Sequence, residues 1–258
     1  MVDLRNRLTE AVGKPHLSYS SLKYALGDMR LWEMYMRGQL KKESDALQFG
    51  SLYDMMLFEP EKARDTYFVL DDTYIVERMA KNGAKNPRIT KKYRDWKAEQ
   101  QELNQGKTIA SQEDWQKAQD MIKRLKDCGL YYTQFEGGKF QVEFNVDLDG
   151  VPLKGFLDCL QDDRIIDSKS SRAIDKFRYD VNGWSYDIQA YVYTKVFDIP
   201  NFFWVVQEKT YPYYPANVKC SEETLFKGEM KFHQALENIK NWLDGGQKSE
   251  EHYAEFIV

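Results

Sequence analysis

Histidine and cysteine are scarce in this chain of 258 residues, with three of each. His16, His233 and His252 are scattered, which argues against a histidine-based metal site or a Ser-His-Asp triad. Cys128, Cys159 and Cys220 are far apart and odd in number, so they fit a reducing compartment and fit neither a disulfide framework nor a zinc site. No GxxxxGK[ST] or GxGxxG loop occurs, which removes nucleotide hydrolysis and dinucleotide redox chemistry. No run of about 20 apolar residues and no signal peptide is visible, so we expect a cytoplasmic protein without a membrane partner. Positive charge is not in excess either. The 37 Lys and Arg stand against 41 Asp and Glu, a net charge of −4, so any affinity for nucleic acid must come from local patches.

What is present is apolar and aromatic: 42% hydrophobic and 14% aromatic residues, enough for a substantial core in one large domain or a core with a helical extension. The chain reads as one domain over 1–258. Residues 1–130 are mainly helical, 140–220 hold strands and a helix, and 221–258 form a closing helix and tail. No repeat of fixed period is visible.

The informative stretch runs from Val142 to Phe197. Two short apolar runs, KGFLDCL and DRIIDSK, read as buried strands that end in carboxylates. Asp158 closes the first. Asp167 and Lys169 flank Ser168 at the end of the second, and the two-residue period of a strand puts them on one face with Ser168 turned away. Pairing the strands would bring two carboxylates and an ammonium to one sheet edge, a donor set for a hard divalent cation. A helical pattern follows from Gly183 to Phe197, on which Gln189 and Tyr193 share a face.

Around this stretch the chain supplies further candidates. Ser18 and Ser20 can cap a helix over Ser21 to Arg37. Ala46 to Phe58 reads as a buried helix stopped by Pro60, in which Asp54 needs a partner, either a metal or a structural cation. Lys81 to Lys97 holds seven Lys or Arg and one Asp. Its first half is a loop, read as a mobile basic arm over a DNA groove or a solvated face, with Lys85 and Arg88 as candidate phosphate contacts. Two amphipathic helices, Lys91 to Asn104 and Ser111 to Cys128, look like scaffold, the second burying Trp115, Ala118, Ile122 and Leu125. An alternating strand carries Glu143 and turns at Asp149-Gly150. The linker after Ser170 carries Arg172 toward the same strand end.

Asp158, then Asp167-Ser168-Lys169, then Gln189-x-x-x-Tyr193 resembles the site of the PD-(D/E)XK nuclease superfamily. The QxxxY helix narrows the likeness to the branch of RecB-type nucleases, lambda exonuclease and exodeoxyribonuclease VIII. LSYSSLKYAL and FGSLYDMMLFEP resemble the Ser-x-Ser-x-Leu-Lys and Gly-Thr-x-x-His-x-x-x-Leu-Glu-Pro segments of the last, RecE-type, group. The resemblance implies an α/β (α+β) fold, with a restriction-endonuclease-like mixed sheet flanked by helices and an N-terminal helical extension. It implies Mg2+, with Mn2+ able to substitute, held by Asp158, Asp167 and the Ser168 carbonyl, with Glu143 and Asp54 as further ligands. Asp54 stands where the relatives carry histidine. Lys169, Gln189 and Tyr193 would serve catalysis, and Ser18, Ser20, Arg30 and Arg37 would bind the phosphate of a DNA end. The implied activity is 5′ to 3′ digestion of linear double-stranded DNA to leave 3′ single strands for phage-type recombination in a bacterial host cell. The implied assembly is a ring of three or four subunits working with a single-strand annealing protein. A related endonuclease and an inactive DNA-end-binding protein are the alternatives.

Overall fold

The computed structural model describes residues 3–40 and 44–245. The expected tail after 245, with His252, lies outside the described residues. The N-terminal half is helical: α1 (Leu4–Val12), α2 (Tyr19–Ala25), α3 (Met29–Met36), α4 (Asp45–Phe58) and α5 (Pro60–Thr66). Strand β1 (Tyr67–Leu70), α6 (Thr73–Lys81), α7 (Lys91–Leu103), strand β2 (Thr108–Ser111), α8 (Gln112–Asp127) and α9 (Leu130–Gln134) follow. The second half contains β3 (Lys139–Leu148), β4 (Val151–Leu160), β5 (Ile165–Ser171), α10 (Phe177–Gly183), α11 (Tyr186–Phe197), β6 (Phe202–Glu208), β7 (Pro215–Lys219) and α12 (Glu222–Leu243).

Strands β3 to β7 form a five-stranded sheet in sequence order, and β1 pairs with β2 in a small parallel sheet. Within the large sheet β5 and β6 run parallel, and the other neighbours are antiparallel. The parallel pair requires a crossover, which α10 and α11 supply. The β3–β4 hairpin turns at Asp149-Gly150 as expected. Both residues have positive φ, 52° and 81°, and Gly150 N–H donates to Asp147 Oδ1 at 2.7 Å.

Each face of the sheet has its own core. On one face Leu8, Leu22, Trp32, Ile188, Trp204 and Ile239 join α1, α2, α3, α11 and α12 to the strands. On the other, Tyr53, Leu57, Met121, Leu125, Ile166 and Val205 join α4 and α8. A buried polar tie holds the second core: Tyr53 OH donates to Gln207 Oε1 at 2.6 Å, and Gln207 Nε2 donates to the Met121 carbonyl at 2.8 Å. Leu17 adds a bridge to β4, donating to the Pro152 carbonyl and accepting from Lys154 N–H, both at 2.8 Å. That bridge fixes the start of α2 beside the sheet.

Several boundaries differ from expectation. The helix expected over Ser21 to Arg37 is two helices. The chain breaks at Gly27, and the Asp28 carboxylate accepts from Arg30 N–H at 2.9 Å, capping a new start. Pro60 does not only stop α4, because it occupies the first turn of α5, where a missing N–H costs nothing. Ahead of Pro15 stands α1, whose Leu4, Leu8 and Val12 share a buried face. In α8 the stripe is centred on Ala118, Met121 and Leu125, leaving Trp115 and Ile122 half-buried. The basic stretch is folded rather than a loose arm. The Arg88 guanidinium pairs with both oxygens of Asp72 at 2.8 and 2.9 Å, and Tyr93 OH donates to the same carboxylate at 2.6 Å.

Candidate active site

Strands β4 and β5 pair through only two positions, Cys159 with Ile166 and Leu160 with Ile165. The next facing residues in that register are Asp158 and Asp167, and there the strands part. The Ser168 N–H, left without a strand partner on that side, donates instead to Asp158 Oδ2 at 2.8 Å. A carboxylate thus closes the gap where the ladder ends.

On its other side Asp158 faces a second irregularity. The β3–β4 register skips Gln141 and Asp158, and Gln141 has φ +49°, in the left-handed region that a β-strand residue avoids. Leu157 and Cys159 would share a face in a regular strand, yet they feed different cores. The turn of the strand between them sets Asp158 in the gap between the two ladders, where the Gln141 side chain favours its ionised carboxylate.

Asp167 is buried and held from two sides. Gln189 Nε2 on α11 donates to Oδ1 at 2.7 Å, and Lys169 Nζ lies 2.5 Å from Oδ2. Asp167 and Lys169 therefore do share a face, with α11 packed over them. Tyr193, one turn along α11 from Gln189, donates to the Phe156 carbonyl of β4 at 2.9 Å, not to Lys169. Gln189 likewise anchors Asp167 rather than the amine. Asp54 reaches the cluster from α4, on the opposite side of the sheet. Its carboxyl feels Asp158, Lys169 and Asp167.

The electrostatics of this group are uneven: three carboxylates face one ammonium. Burial, and then repulsion from Asp167, push the Asp158 carboxyl up to about 7 against the opposing pull of Lys169, Ser168 N–H and Gln141. Burial also raises Asp167, opposed by Lys169 and Gln189. Asp54 is raised well above the carboxylate range, by burial and then by Asp158. Burial works against the Lys169 charge, but Asp167 and Asp158 outweigh it and hold the amine protonated above its ordinary range. Among the described residues no three acidic, histidine or cysteine side chains form a ready-made ion cage. The donor set nevertheless suits a hard cation, because the buried carboxylates repel one another and supply only oxygen.

The remaining expected residues lie outside this cluster. Glu143 is exposed on β3 and paired with Lys154 at 2.8 Å. Ser18 caps α2 in a capping box with Ser21, and Ser20 sits in its first turn. The Arg30 guanidinium is paired with Asp28 at 2.6 Å, and Arg37 with Glu33 at 2.9 Å. Lys85 is exposed beyond α6, and Arg88 is engaged by Asp72. Arg172 is exposed just past β5, beside Lys209, whose N–H donates to the Ser171 carbonyl at 2.9 Å. Burial and then the charges of Arg172 and Lys117 lower the Lys209 pKa, so three cations gather beyond the strand end.

Sequence reasoning missed Gln141, Lys209 and Tyr186, whose ring lies 4.9 Å from Lys169 Nζ. Tyr186 is three residues before Gln189, so helical spacing could have found it. Nothing in the alternating pattern of β3 signals the positive φ of Gln141.

A mixed sheet with helices on both faces and the constellation Asp158, Asp167-x-Lys169 define a PD-(D/E)XK-type protein. The chain belongs to the family described as PDDEXK-like domain of unknown function (DUF3799), whose model matches residues 20–255. It is similar to a crystal structure from Eubacterium rectale described as a "putative exonuclease", with a TM-score of 0.60 and 17% sequence identity, covering 94% of this chain and 90% of that one. At that identity the likeness shows the fold, the restriction-endonuclease-like one expected. No curated protein matches the chain.

Proposed function

We propose that this protein is a metal-dependent exodeoxyribonuclease of the RecE-type branch, a single nuclease domain that digests linear double-stranded DNA from the 5′ end and leaves 3′ single strands. The observation that carries the reading is the convergence of Asp158, Asp167 and Lys169 where β4 and β5 part, tied by the Ser168 N–H bond at 2.8 Å and the Lys169 pair at 2.5 Å. Family membership supports the nuclease class. The polarity, a ring of three or four subunits and an annealing partner rest on the motif resemblance to that branch.

Asp158, Asp167, Asp54 and the Ser168 carbonyl are the groups that would hold Mg2+ or Mn2+, with Glu143 available once freed from Lys154. When bound, such an ion supplies a Lewis acid that offsets charge growing on the phosphate. Lys169, held protonated by its carboxylates, donates a hydrogen bond that orients the attacking water. Gln189 fixes Asp167, and Tyr193 fixes β4 through the Phe156 carbonyl, so the two strand ends keep their spacing. Arg172 and Lys209 stand where a phosphate backbone would leave the site.

The test incubates wild type and Lys169→Ala with end-labelled linear duplex and with covalently closed circles, with Mg2+ or chelator. The expected result is metal-dependent release of the 5′ label from linear DNA by wild type alone. Cutting of closed circles would make it an endonuclease, and retention of every label would leave only DNA-end binding.

A further inference from the structure

We infer that Trp184 and Lys23 form a shelf beside the candidate active site that stacks the base of an unpaired nucleotide at a DNA end. The inference rests on the nuclease reading and deepens it by naming how the strand end is held.

Trp184 leaves 54% of its surface exposed, an unusual placement for the largest apolar side chain, and it belongs to neither core. Its backbone, by contrast, is firmly held. Trp184 N–H donates to the Asp180 carbonyl at 2.8 Å, and its carbonyl accepts from Tyr19 OH at 2.5 Å. The next residue, Ser185, has φ +56°, a conformation that costs energy in a residue other than glycine. A strained, pinned turn that gains no burial for its tryptophan presents the ring outward. Lys23 Nζ lies 5.1 Å from the Trp184 ring and 5.7 Å from that of Tyr19, so the shelf carries a cation as well as a π-face.

The shelf adjoins the chemistry. The Tyr19 and Tyr186 rings are 6.4 Å apart, and Tyr186 is the ring 4.9 Å from Lys169 Nζ. An aromatic ring with an ammonium over one face accepts a base on its other face and a phosphate on the cation, without regard to sequence. Only a base with a free face can stack there. Bases inside a duplex have both faces covered and a paired terminal base is held in the stack, so a frayed or single-stranded terminus is the one free to turn onto the ring.

The experiment uses the full chain carrying Lys169→Ala to prevent cleavage, and duplexes with 2-aminopurine at the terminal or an internal position. Terminal 2-aminopurine should change fluorescence on binding and internal 2-aminopurine should not. Trp184→Ala should abolish that change and weaken end binding about 10-fold, the scale of one base stacked on an aromatic. Trp184→Phe should retain most of both, and Lys23→Ala should weaken binding while keeping the fluorescence change. If Trp184→Ala binds and reports like its parent, or alters subunit assembly rather than DNA binding, the shelf is overturned. Nuclease activity of the otherwise wild-type chain separates the two readings. An active enzyme with an indifferent Trp184 sinks the shelf alone, whereas a wild type that neither binds nor cuts DNA sinks both.

Discussion

The backbone N–H of Ser168 donates to the Asp158 carboxylate at 2.8 Å, at the point where strands β4 and β5 stop pairing with each other. A bond that would have continued a ladder instead fixes a carboxylate beside Asp167. The same side chain is pushed up to about 7 by burial and by Asp167, so its ionisation is costly in the folded protein. A carboxyl raised on folding binds more protons folded than unfolded. Its stabilising effect is therefore complete below the ordinary Asp range near 3.9 and is lost as pH rises from there through about 7. Thermal melts in chelator should thus fall between about pH 4 and 7, and Asp158→Asn should flatten that slope. Added Mg2+ should restore the melting temperature of wild type at pH 8 but not that of Asp158→Asn. A metal-free slope identical in the two proteins would refute the assignment.

Gln189 acts on the site through Asp167, the carboxylate it holds at 2.7 Å. Removing a partner that orients a ligand typically costs 10- to 100-fold in activity or metal affinity. Gln189→Ala should therefore lower kcat by roughly that factor. Lys169→Ala, which removes the group proposed to orient the attacking water, should cost more. Glu143→Gln addresses a residue paired with Lys154 outside the cluster, and its effect on nucleotide release will show whether a second ion uses it.

The residues that could be read from sequence are those whose pattern is local. The carboxylate-ended apolar runs, the hairpin at Asp149-Gly150 and the helix bearing Gln189 and Tyr193 lie within a few tens of residues of one another, and each carries its own period or turn signal. What stayed hidden depends on distant partners. Asp54 could be set beside Asp158 only through the motif resemblance, because α4 meets the strands only in the fold. Arg88 looked like a free cation because Asp72, sixteen residues earlier, is a neighbour only in the fold. The break at Gly27-Asp28 was masked by an apolar spacing that continues through it.

Gln141 gives a test in which stability and function should move in opposite directions. Its φ of +49° is strained for glutamine and open to glycine. Gln141→Gly should relieve strain of order 1 kcal/mol and raise the melting temperature slightly, while the lost contact to Asp158 lowers activity. Gln141→Ala keeps the strain and loses the contact, so it should be both less stable and less active. Equal activity in all three proteins would show that the kink alone, not the side chain, positions Asp158.

The Tyr53 hydroxyl tests the second core. It donates to Gln207 at 2.6 Å across a buried interface, and Gln207 has no route to solvent. Tyr53→Phe should leave an unsatisfied acceptor costing about 1–3 kcal/mol. Because α4 also carries Asp54, urea melts and metal titration should be measured together. A stability loss without a change in metal response would place the two functions of the helix on separate side chains.

The close approach of α11 and α12 is made at a glycine. A Cβ on Gly228 of α12 would sit 2.1 Å from the Asp187 carbonyl oxygen of α11, and the obstacle is backbone, which cannot rotate away. Asp187 also pairs with Lys231 of α12 at 2.7 Å, so the two helices are joined by an ion pair and close contact within one turn. Gly228→Ala must separate them, at a cost at or above the 1–3 kcal/mol typical of overpacking. Since α11 carries Gln189, the shift should weaken its bond to Asp167, and activity should fall further than the loss of folded protein explains. Lys231→Ala removes the ion pair without forcing the helices apart. It should destabilise the protein while leaving the activity of the folded fraction near wild type, and equal specific losses in both variants would show that α11 is not held in place by this close approach.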